Sequence, residues 1–222
     1  MENVLSDESK AIIRHYDPRP VDEQKAADKA VIWSTVSVNW ALEMVKMGQD
    51  LDRSPFYEGK IDRRRGDIVF QMSDFEEAEW VRCASDILYF IEKYCMVKLP
   101  TGLIGNISLR KYQFGQILDF LSHDEIIMGW SRQSGKTIGT ALYILWCMCF
   151  NANKHTAILA NKGSTSGEVL NKIKEIYNYL PFFLKPGVMG WNNGTVAFDN
   201  GCKIYTGPTT EDALNGRTCN IL

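Results

Sequence analysis

The sequence predicts an α/β fold, a parallel sheet flanked by helices and preceded by a mainly helical N-terminal region. Two observations predict it. Gly135-Lys136-Thr137 stands where a short apolar run, Glu125 to Gly129, gives way to a long apolar stretch without proline, Thr137 to Phe150. That is the strand-to-helix junction at which backbone N–H groups can meet a phosphate. From there on, strand-like and helix-like patterns alternate, the order that builds a parallel sheet with helices on its faces.

The elements follow in chain order. Val21 to Lys46 reads as a helix, with Trp33, Val36, Val38, Trp40, Leu42 and Val45 among its apolar residues. Arg63-Arg64-Arg65 beside Gly66 reads as a solvated basic loop. Ser73 and Glu76 have the spacing of a capping box, and a helix to Met96 then carries Trp80, Cys83, Ile87, Leu88, Ile91 and Cys95. Leu99 to Asn106, with Pro100, Gly102 and Gly105, reads as a linker. It divides a helical region, 1–99, from the nucleotide-binding core, 100–222.

In the core, Ile107 to Leu121 is predicted as a helix and Glu125 to Gly129 as the strand before the loop. A helix from Lys136, a strand at Thr156 to Ala160 and a helix from Gly167 to Leu180, stopped by Pro181, come next. Val196 to Phe198 and Lys203 to Tyr205 flank Asp199-Asn200-Gly201 and predict a hairpin. Trp33, Trp40, Trp80 and Trp146 are expected in the core.

Composition narrows the function. The chain has 222 residues, 45% hydrophobic and 23% charged, a balance that argues against wholesale disorder. A net charge of -2 gives no global sign of nucleic-acid binding, so any DNA contact has to come from a local patch. Met1 to Lys10 is polar, unlike a secretory signal, and Ile138 to Phe150 is too short to span a bilayer, so no membrane role is expected. The six cysteines show no C-x-x-C pair and read as buried thiols of a reducing compartment. Ser131 with His123, and Ser134 with His155, lack a third orienting group, which argues against acyl chemistry.

The loop Ser131-Arg132-Gln133-Ser134-Gly135-Lys136-Thr137 carries the chemistry. Gly135 lets backbone approach an anion, Lys136 reaches β/γ-phosphates and the Thr137 hydroxyl can ligate Mg²⁺. The first glycine of the usual phosphate-loop pattern is replaced by Trp130. Arg132 lies within reach of a γ-phosphate, where its guanidinium would act from the same chain as an arginine finger does.

Several separate stretches resemble the large terminase subunit of tailed, contractile-tailed bacteriophages. Ser131 to Thr137 is similar to that family's variant phosphate loop, and Leu109-Arg110-Lys111-Tyr112-Gln113 to its adenine motif. Ile158 to Ser164, then Ser166 and Glu168 to Leu170, resemble its second ATPase strand and the polar loop after it. Leu214-Asn215-Gly216-Arg217-Thr218 and the stretch from Cys83 to Tyr94 resemble further family segments.

The resemblance implies a P-loop NTPase core of terminase/helicase type, binding ATP through Tyr112, Gln113 and Ser131 to Thr137, with Lys136 and Arg132 catalytic. It implies Mg²⁺, double-stranded DNA, the portal protein, the small terminase subunit and a homo-oligomeric ring, in the host cell cytoplasm. The family's acidic metal-site pair, expected just past Asn220-Ile221-Leu222, is absent, as are the lid and nuclease parts. The expectation is therefore the first part of a packaging motor. Lys162 and Ser164 are candidate DNA contacts, whereas Asp199, Glu211 and Asp212 read as turn or solvated residues. The alternatives are a helicase-like translocase ATPase and a catalytically inactive nucleotide-binding fragment.

Overall fold

Short-range capping sets where the first helices start. In the computed structural model, which describes residues 32–49, 51, 54–99, 102–131, 134–161, 163–209, 219 and 221, the chain begins with strand β1, Ile32–Trp33, and helix α1, Thr35–Lys46. Ser34 accepts the Ser37 N–H at 3.4 Å and donates its own N–H to the Ser37 hydroxyl at 2.7 Å, so the helix cannot run back through Trp33. The expected Val21–Lys46 helix is thus corrected within the described residues, since Ile32 and Trp33 pair in parallel with strand β2, Val69–Phe70. Residues 21–31 lie outside the described part.

The Ser73–Glu76 capping box forms as the spacing predicts and opens helix α2, Asp74–Ser85. The expected single helix to Met96 breaks at Asp86. Its carboxylate accepts the N–H groups of Leu88 and Tyr89 at 2.9 and 3.0 Å, and a new helix α3, Ile87–Tyr94, starts there. The expected linker is a hairpin instead. Strand β3, Met96–Lys98, pairs antiparallel with β4, Ile104–Asn106, and Gly102 at φ 85° turns the chain between them.

Helix α4, Lys111–Ser122, begins after the predicted start at Ile107, with Arg110 as its N-cap, whereas helix α5, Lys136–Phe150, matches its predicted position closely. Strand β5, His155–Ala160, follows, then helix α6, Gly163–Tyr179, which takes in residues read as a polar loop. Strands β6, Val188–Trp191, β7, Thr195–Phe198, and β8, Lys203–Pro208, complete a sheet in the order β5-β8-β7-β6.

The sheet is mixed, which corrects the expected parallel one. β5 and β8 are parallel, whereas β8–β7 and β7–β6 are antiparallel. The reason is local: the predicted turn with Gly201 at φ 79° joins β7 to β8 as a hairpin, and a hairpin can only be antiparallel. On the other edge of β5, Ile221 bridges Thr156 in parallel and accepts the Ala157 N–H at 2.8 Å. Among the described residues the expected strand Glu125–Gly129 does not form, and Ile127 is fully exposed. An apolar strand gains from its pattern only beside a partner strand, and among the described residues none pairs with it.

The core runs through both predicted regions. Trp80 and Phe90 meet Phe150 edge-on with centroids 5.3 and 5.2 Å apart, which packs α2 and α3 on the end of α5. Leu142, Leu145 and Met148 of α5 are fully buried with Leu170, Ile173 and Ile176 of α6 and Ile204 of β8. Trp33 and Trp80 are core residues and Trp146 packs against the core, donating to Cys83 O at 2.9 Å, but Trp40 is 54% exposed. Five cysteines are buried, and burial pushes the Cys83 thiol up to about 12.

The triple arginine is not the solvated loop expected. Arg64 lies over the rings of Phe70 and Phe182 and donates to Lys185 O at 3.0 Å, and Arg63 lies over Trp191. Arg65 pairs with Asp67 at the surface, and Arg63 Nε lies 3.8 Å from Asp62 Oδ1. Lys185 is buried beneath them, its amine donating to Asp62 O and Asn178 O, and burial lowers its pKa to about 8. Asp199 likewise serves a turn, its carboxylate accepting the Gly187 N–H at 2.9 Å. Among the described residues no helix is long and apolar enough to cross a membrane.

Candidate phosphate-binding site

Helix α5 starts without help from a side chain. Its N-cap is Gly135, at φ 79° and ψ 18°, a left-handed conformation that costs an L side chain about 1–2 kcal/mol. A Cβ there would also come 2.6 Å from Gln113 Nε2. The glycine is required twice, by backbone conformation and by close approach. Lys136 and Thr137 form the exposed first turn, with no acidic residue in it. Ser134 donates its hydroxyl to Ser131 O at 2.9 Å and closes the end of the loop on itself. Arg132 and Gln133 lie outside the described residues, as do the side chains of Lys162 and Ser164 and residues 211, 212 and 214–218.

Helix α4 lies against this start. Gln113 is 6% exposed, and both ends of its amide are engaged. Its Oε1 accepts the Arg110 N–H at 2.9 Å, and its Nε2 donates to Gly135 O at 3.1 Å. The amide therefore joins the N-terminus of α4 to the last residue before α5. Tyr112 is 42% exposed, meets Trp130 edge-on at 5.2 Å and accepts from the Arg110 guanidinium at 2.7 Å. The structure brings Tyr112, Gln113, Ser134, Gly135 and Lys136 into one neighbourhood. His123 and His155 are elsewhere: His123 caps the end of α4, and His155 meets Tyr205 on the sheet.

Two participants were not found from the sequence. Trp130 was noticed only as a missing glycine, yet its ring supports Tyr112. Gln116 was passed over entirely. It is 2% exposed, and its Nε2 donates to Lys136 O and to Thr140 Oγ1, each at 3.2 Å. The available signal was a second glutamine three residues after Gln113, which puts two amides on one helix face.

At the other end of α5 the carbonyls are taken up. Asn200, buried in the β7–β8 turn, donates to Met148 O at 2.7 Å and Asn151 O at 2.9 Å. The helix is thus fixed at its C-terminus by the sheet, while its N-terminal turn is exposed and has no side-chain cap.

The family model for the terminase large subunit, T4likevirus-type, N-terminal, matches residues 127–222. Over these residues the chain is similar to the N-terminal part of the terminase large subunit. The match begins just before the loop and takes in α5, β5, α6 and the whole mixed sheet. Terminase large subunits serve in DNA packaging and are generally ATPases and nucleases.

Proposed function

We propose that the start of α5 is the ATP site of a DNA-packaging motor, in a core of P-loop NTPase type. The observation that carries this reading is Gly135, left-handed and uncapped, opening a helix whose first residues are Lys136 and Thr137 within the family-matched segment. Such a helix start presents N–H groups and a positive dipole end to a phosphate.

The residues present fit the group. Ser131, Arg132, Gln133, Ser134 and Gly135 supply the loop around the phosphates, and Lys136 takes the β/γ-phosphates. Thr137 offers its hydroxyl to Mg²⁺, which when bound neutralises charge on the phosphate oxygens. Arg132 stabilises charge developing on the γ-phosphoryl group. Tyr112 and Gln113 form the base end. With one lone pair and one N–H of its amide already engaged, Gln113 keeps one of each for an adenine edge. In the assembled motor, ATP hydrolysis drives double-stranded DNA through the portal protein. The small terminase subunit and further copies of this chain in a ring are the other partners, in the host cell cytoplasm.

The test is calorimetric titration of MgATP into the 222-residue chain and its Lys136→Ala variant. The expected result is binding by the parent chain and at least a tenfold loss in the variant, with parallel loss of thermal protection by millimolar ATP. A parent chain that millimolar ATP neither binds nor protects would sink the assignment, as would equal binding by the variant.

A further inference from the structure

The second glutamine of α4 touches the site without any role given to it so far. Gln116 is buried, and its two amide hydrogens reach Lys136 O and Thr140 Oγ1 at 3.2 Å each. Thr140 also donates to Lys136 O, at 3.1 Å, so the three groups close a ring about the first turn of α5. The contact exists because residue 139 is a glycine. A Cβ at Gly139 would lie 2.2 Å from Gln116 Oε1 and 2.9 Å from its Cδ. Glycine inside a helix is unfavourable against alanine, so its presence here has a packing reason, the notch that admits the amide. The Gln116 Oε1 is buried and has no hydrogen-bond partner among the described residues. A contact built for stability alone would use an apolar side chain and leave no acceptor unmatched.

We propose that Gln116 is a positioning residue for the phosphate loop, locking the Lys136 peptide to helix α4 through the notch at Gly139. With Gln113 holding Gly135 O and Gln116 holding Lys136 O, two successive carbonyls of the loop end are fixed to one helix face. The same face begins with Tyr112 at the base end. The spacing between base and phosphates is then set by a rigid helix and not by the loop. This function rests on the ATP assignment, whereas the clamp itself does not.

The experiment separates the two. In Gln116→Met the side-chain volume is kept and both donors are lost. Amide hydrogen exchange of the chain without nucleotide is expected to speed up about tenfold at Ile138, Gly139 and Thr140 and to stay unchanged at 144–148, the loss of one or two net hydrogen bonds. MgATP affinity is expected to weaken by a similar factor while AMP binding and the melting temperature hold, a split that general loosening of the fold would not produce. Gly139→Ala is expected to copy these effects alone and to add nothing in a Gln116→Ala background, because the collision is then gone. Parent-like exchange in Gln116→Met, or additive effects of the two alanine changes, would overturn the clamp. Faster exchange with unchanged ATP affinity would overturn the positioning role. A parent chain that binds no ATP would refute the ATP site and with it the positioning role, while exchange still decides the clamp.

Discussion

Helices α2 and α5 begin in opposite ways. At α2, Ser73 and Glu76 exchange hydrogen bonds, with the Ser73 N–H to Glu76 Oε2 at 2.8 Å, and Asp74, Glu76 and Glu77 put negative charge in the first turn. Thr35 at the start of α1 donates to the other Glu76 oxygen, so this terminus is closed off by the protein itself. At α5 a glycine stands where the capping side chain would be, and the first-turn charge is the cation Lys136. The dipole makes that arrangement unfavourable in isolation. A local rule kept at one helix is thus broken at another of the same core, as the proposed phosphate site requires.

The largest effect is expected beneath the site. Leu142→Ala empties a fully buried position of α5 and should cost about 2–5 kcal/mol in denaturant unfolding. A cost below about 1 kcal/mol would mean that α5 is not held by packing and that its uncapped start needs another explanation. Next, Ser73→Ala should cost about 1 kcal/mol by the same measurement, because it orphans the Glu76 N–H that the Ser73 hydroxyl accepts.

The smallest effect is the most pointed. Lys136→Glu gives α5 the first-turn charge of α2 and should raise stability without nucleotide by about 0.3–1 kcal/mol. The same change should abolish protection by MgATP. A loss of stability in the nucleotide-free chain would show that Lys136 is anchored by the protein and not reserved for a ligand.

The legible parts of the sequence were those whose interactions close within a few residues. The Ser73–Glu76 box, the Asn200-Gly201 hairpin turn, helix α5 and the glycine before Lys136 all belong to this class. The Asp86 break was local too, and went unread because the apolar spacing continues across it from Cys83 to Ile87 and Ile91. Other outcomes depended on distant neighbours. The 125–129 run has strand composition but meets no partner among the described residues. Arg63 and Arg64 look like a solvated cluster until Trp191, Phe182 and Lys185 arrive from more than a hundred residues away.

The α/β class and the start of α5 at Gly135 and Lys136 were readable along the chain, because backbone conformation and helix initiation are short-range. Only the tertiary structure decided that the sheet is mixed, that Gln113 spends part of its amide on Gly135, and that Gln116 grips Lys136 through the gap at Gly139. Those contacts join residues about twenty positions apart on two helices. Their existence depends on how α4 and α5 pack, and no spacing along the chain encodes that.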